Sequence, residues 1–172
     1  MIFAQAAEGE HRGRRFEVYY QVDEDGKGYC EDGYFAILKE KEIQEYLQNI
    51  AKEAGTEIKV IVSLNGSVGK KYDKETTIEE MLSMGKEIEV NVFGYMRTET
   101  TEAQFTEQTQ KLQQKFEETG FYMDYGVWRL LSNEKFDYIQ KYSDIEWAFP
   151  RGIRAEEKYD LRVYEYIKPN KE

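Results

Sequence analysis

At 172 residues, with a formal charge of −10 and an aromatic fraction of 15%, the chain is long enough for one domain, or for two very small ones that share a core. The acidic excess is spread along it, with 19 acidic against 13 basic residues up to Arg97 and 15 against 11 beyond. That argues against nonspecific binding to a nucleic-acid backbone, which needs clustered Lys and Arg. The low mean hydropathy reflects charge rather than disorder, since there are only two prolines and no low-complexity tract.

No stretch is apolar and long enough to span a membrane. Cys30 is the single cysteine, so an internal disulfide is impossible and a reducing compartment is expected. Ala4-Gln5-Ala6 has the small-x-small form of a signal-peptidase site. It follows only Ile2 and Phe3, with no basic segment before it, so a secretory signal is not expected and the cytoplasm is the expected location.

In chain order, residues 1–7 read as a short strand, 8–15 as a polar loop and 16–22 as a strand rich in aromatic and β-branched residues. Asp25-Gly26 is a hairpin signal, and a second turn is expected at Asp32-Gly33, followed by a short strand over 34–38. Ile43, Tyr46, Leu47, Ile50, Ala51 and Ala54 then recur at helical spacing, and Gly55 closes that helix. The apolar run in 57–64 predicts a strand interior to a sheet. Residues 65–74 read as a polar loop. Thr77 and Glu80 form a capping box that opens a short helix through Ile78, Met81 and Leu82 to Gly85. In the strand 87–95, Ile88, Val90 and Val92 alternate with Glu87, Glu89 and Asn91, which predicts one wet face.

The best-punctuated helix covers 101–120. Thr101 and Gln104 have capping-box spacing, Phe105, Thr109, Leu112 and Phe116 make a narrow stripe, and Gly120 stands where a left-handed residue ends a helix. Its other faces are rich in Gln, Lys and Glu, a surface suited to solvent or to a partner. A strand is expected over 121–131, with Phe121, Met123, Tyr125 and Val127 on one face. A helix capped by Ser132 or Asn133 follows, then a short strand or loop over 144–149, a break at Pro150 and Gly152, and a last strand over 158–167. The expected fold is α+β, with mixed, mostly antiparallel sheets and about four helices. Two αβ halves, 1–97 and 98–172, either separate or one continuous domain, meet at the 101–120 helix.

Motifs that would name a chemistry fail on detail. The loop Asn65-Gly-Ser-Val-Gly-Lys-Lys-Tyr72 is glycine-rich and basic, but its glycines are too close together and Lys71 stands where a phosphate loop needs Ser or Thr. Lys27 occupies the third ligand position of an EF-hand-like register, and no glutamate lies at the loop's end. His11 with Cys30 has no orienting partner for a nucleophilic pair, and one His with one Cys cannot make a zinc site. No catalytic residue, metal site or cofactor is assigned.

Three features remain. Asp23, Glu24, Asp25, Glu31 and Asp32 form an acidic segment suited to a basic partner surface. His11, Arg12, Arg14 and Arg15 form one basic cluster; Trp147, Phe149, Arg151 and Arg154 form another, in which Arg and aromatics together suit a protein interface or nucleic-acid phosphates and bases. The 14 tyrosines include Tyr19, Tyr20, Tyr122, Tyr125, Tyr164 and Tyr166 on expected strands, and exposed tyrosine gives rigid contact area.

The first expectation is therefore a non-enzymatic, acidic protein-interaction module. A small acidic protein without a catalytic signature is compatible with an inhibitor of a nucleic-acid-processing host-defence enzyme, of the anti-CRISPR or anti-restriction type carried by phages and mobile elements. The partner would be a protein with a basic surface, with nucleic acid less favoured and no membrane involved. The alternatives are an RNA- or phosphate-ligand-binding domain using the Arg and aromatic clusters, and an enzyme whose site assembles from scattered acids and tyrosines.

Overall fold

A computed structural model of the chain describes residues 2–7, 12–65, 75–83, 88–130, 132–148 and 165–166. It is an α+β fold with two sheets. The first is a three-stranded antiparallel sheet of β1 (Ile2–Gln5), β2 (Arg15–Val22) and β3 (Gly28–Asp32), in that order. The second has the order β4 (Lys59–Asn65), β5 (Glu89–Met96), β6 (Asp124–Arg129) and β7 (Glu165–Tyr166). Among the described residues only the β5–β6 pair is parallel. The helix α3 (Glu102–Thr119) makes that crossover, so the four-stranded sheet takes strands from both sides of residue 98.

The sheet is buried on both faces. On one face α1 (Tyr34–Glu53), α2 (Ile78–Ser83) and α3 form the main core, in which Ile43 and Leu47 meet Val60, Val62, Leu112, Phe116 and Val127. On the other face α4 (Asn133–Tyr138) and α5 (Tyr142–Ala148) cover Ile61, Tyr95 and Leu130 with Phe136, Ile139, Tyr142 and Ile145. The Phe136 ring is held between the Lys59 ammonium, 4.2 Å from its centroid, and the Arg97 guanidinium at 4.3 Å. Lys59 also donates to the Phe136 carbonyl and, at 3.2 Å, to that of Ile139, which ties the end of α4 to β4. Burial lowers the pKa of this lysine.

Local chemistry sets the helix ends. Thr101 Oγ1 accepts from Gln104 N–H at 3.3 Å while Gln104 Oε1 accepts from Thr101 N–H at 2.9 Å, a complete capping box. Gly120 ends α3 at φ +67° and Gly55 follows α1 at φ +69°. Thr77 and Glu80 make the same reciprocal pair before α2, and Ser132 caps α4.

Four expectations need correction. Residues 34–38 are the first turns of α1, not a strand: Ala36, Glu40, Ile43, Leu47 and Ala51 make one buried helical stripe. A charged residue in that stripe hides the helix, and its charge is answered from outside the helix by Arg14, the residue before β2. Residues 144–149 are not a strand or loop as far as they are described, because α5 runs to Ala148. The strand β5 is wet only at its start, since Phe93 and Tyr95 of the polar-looking face pack under α4 and α5. Finally, β4 is an edge strand, not an interior one. Its apolar run reflects burial on both faces. The expected features at 65–74, Gly85, Pro150 and Gly152 lie outside the described residues apart from Asn65, the end of β4; of the last expected strand, Glu165–Tyr166 is described.

Candidate functional site: the three-stranded sheet

The β1–β3 sheet contributes no residue to either core cluster. Its register puts Ile2, Phe16, Val18, Tyr20, Val22 and Cys30 on one face, because side chains alternate along each strand. On that face Ile2 is 70% exposed, Tyr20 70% and Val22 58%, and Cys30 is exposed too. Phe16 is half-buried, with its ring 5.1 Å from that of Tyr34 at the start of α1. On the other face Phe3, itself 65% exposed, Glu17 and Tyr19 line a cleft of 860 Å³ against Ile37 and Tyr142 of the helical body.

The sheet is tethered by charge. Arg14 Nη1 and Nη2 donate to the two oxygens of Glu40 at 2.8 and 3.1 Å. The fork geometry matches the carboxylate and fixes direction as well as distance. The Glu40 side chain is only 10% exposed, and its hydrogen bonds push the Arg14 pKa up. Gln5 Nε2 adds a bond to Gly13 O at 2.8 Å, where Gly13 turns at φ +87°.

The hairpin sorts the acidic segment into two groups. Asp23, Glu24 and Asp25 share the exposed β2–β3 turn. Asp23 builds that turn, accepting from Lys27 N–H at 2.7 Å, with Gly26 at φ +78°. Glu24 and Asp25 are exposed and carry their charge at the tip of the turn. Glu31 and Asp32 end β3 at its other end, about 13 Å away by strand rise. There Asp32 Oδ1 accepts from Tyr34 N–H at 2.9 Å and starts α1. Of the first basic cluster, Arg12 and Arg15 are exposed and Arg14 is engaged by Glu40, while His11 lies outside the described residues. Of the second, Trp147 belongs to α5, and Phe149, Arg151 and Arg154 lie outside the described residues. Tyr125 is buried, edge-on to Phe116 at 5.5 Å, whereas Tyr20 is exposed.

Two features were not foreseen from sequence. Tyr20 lies flat over Gly28, so that a methyl group at residue 28 would overlap the ring. This pairing of an aromatic with an edge-strand glycine holds the tyrosine against the sheet. The second is the row of glutamine amides along β4: Gln48 Oε1 accepts from Val60 N–H at 2.8 Å, and Gln44 Oε1 accepts from Val62 N–H at 3.2 Å. A sequence signal exists for the first, a glycine diagonal to an aromatic across a hairpin; the second depends on tertiary packing.

Among the described residues no three His, Cys, Asp or Glu side chains converge as a metal would require, and no helix is long and apolar enough to cross a membrane. No family model, curated protein or solved structure matches the chain.

Proposed function

We propose that this is a non-enzymatic, cytoplasmic interaction module that docks its β1–β3 sheet on the basic surface of a partner protein. The observation that carries the reading is the gathering of exposed apolar groups, Ile2, Tyr20 and Val22, on one face of a sheet that belongs to neither core and ends in an acidic turn. A small sheet left apolar and uncovered is typical of an interaction surface. A tyrosine held flat at its centre offers contact area at little entropic cost.

Charge selects the class of partner. The exposed turn at Asp23–Asp25 and the net charge of −10 favour a basic surface. Proteins that handle nucleic acid carry such surfaces to meet phosphate. Occupying one would block the enzyme, the role of phage and mobile-element inhibitors of the anti-CRISPR or anti-restriction type.

The test is capture of a partner from a nuclease-treated lysate, followed by titration of the purified pair. Glu24→Lys with Asp25→Lys leaves Asp23 to hold the turn. It is predicted to weaken binding at least tenfold and to flatten its dependence on salt. Unchanged affinity and salt slope would remove the acidic turn from the account.

A further inference from the structure

The edge of the four-stranded sheet at β4 is closed by side chains that imitate a strand. In β4 the backbone groups of Lys59, Ile61 and Ser63 face β5, so those of Val60 and Val62 face outward. Gln48 accepts from Val60 N–H at 2.8 Å and donates to Ile58 O at 3.0 Å. Its single carboxamide thus makes the donor-and-acceptor pair that a neighbouring peptide group would make. One turn earlier on α1, Gln44 accepts from Val62 N–H at 3.2 Å and donates to Gln140 O at 3.0 Å, which anchors it to the α4–α5 link. The spacing follows from geometry: residues four apart on a helix rise about 6 Å, close to the two-residue repeat of a strand at about 6.6 Å.

We infer that Gln44 and Gln48 are a built-in substitute strand that closes β4 to pairing with a second copy of this chain. An exposed strand edge is a template for another chain, and proteins normally blunt it with charge, proline or cover. The strand KVIVSLN has no proline and a single charged residue, Lys59, which is turned to α4. It is also self-complementary. An antiparallel pair of β4 strands about Ile61 would set Val60 against Val62 of the second copy, and would use the same N–H groups that the two glutamines hold. A groove of 570 Å³ already runs beside this edge between α1 and Gln140. Shortening the glutamines would leave space for a strand.

The double variant Gln44→Ala/Gln48→Ala keeps Ile43 and Leu47, the buried anchors of α1. At dilution, amide exchange at Val60 and Val62 is predicted to speed up about tenfold, the worth of a hydrogen bond. As concentration rises the variant is predicted to form dimers by light scattering, and Val60 and Val62 to regain protection. Gln48→Glu keeps an acceptor for Val60 and should leave that amide protected. Should the double variant fail to fold, Gln48→Ala alone, read at Val60, applies the same test. The inference fails if the variant has the wild-type assembly state at every concentration. It also fails if association leaves Val60 and Val62 unprotected, which would place the contact elsewhere, such as the β1–β3 sheet.

Discussion

Tyr20 owes its place on the sheet surface to a missing side chain. Gly28 does not need its conformational freedom, since its φ is not in the left-handed region; what it provides is room for the ring. Gly28→Val should therefore be neutral or slightly favourable for stability, because valine suits a strand. It should lift Tyr20 and weaken partner binding. Thermal melts and titration together check this, and a loss of stability with intact binding would contradict it. Asp124 makes a second residue-scale case. Burial and the neighbouring Glu89 raise its pKa, so folding penalises its charged form. The folded state then binds more protons than the unfolded state between the ordinary value of 3.8 and the raised one, and the penalty is fully present above that window. Asp124→Asn is predicted to raise stability at pH 7, with the difference from wild type shrinking as pH falls through the window. Denaturant midpoints at a series of pH values measure it; a constant difference would contradict the assignment.

At the scale of the element, α3 shows how far local chemistry determines structure. Its cap, stripe and glycine stop are all readable in order, and each forms the contact expected of it. Thr101→Ala is predicted to cost about 1 kcal/mol in urea unfolding, and Phe116→Ala, fully buried against Tyr125, about 3–5 kcal/mol. The failures share a cause. Residues 34–38 are a short aromatic and aliphatic run after a turn and so resemble a strand; the distant Arg14 explains why Glu40 can sit in a buried helical stripe. The apolar run of β4 signals burial on both faces, which interior strands and a doubly covered edge strand have in common. In the candidate site, the acidic turn is legible because a hairpin is local. Which face of β2 stays uncovered is not, because alternation reads the same whichever face meets solvent.

On the whole-molecule scale, a doubly covered four-stranded sheet carries a small second sheet, and the contacts that join them among the described residues include a bidentate ion pair, a ring contact and the start of α1. That arrangement predicts uneven stability. Arg14→Ala leaves a nearly buried carboxylate without its partner, at a cost of about 1–3 kcal/mol. It should speed amide exchange in β1–β3 while β4–β6 keep their protection. A uniform acceleration would mean that the small sheet and the body open as one unit. The same looseness suits a docking surface, which can adjust to a partner without disturbing the core.

We propose that the β1–β3 sheet is the surface this protein presents to its partner. The most direct measurement is amide exchange on the complex with a captured partner, compared with the free protein. New protection is expected at β1, at Tyr20–Val22 and across the Asp23–Asp25 turn, with the outer face of α3 unchanged. Protection confined to α3, or to the Arg12–Arg15 segment with the hairpin unaffected, would contradict it.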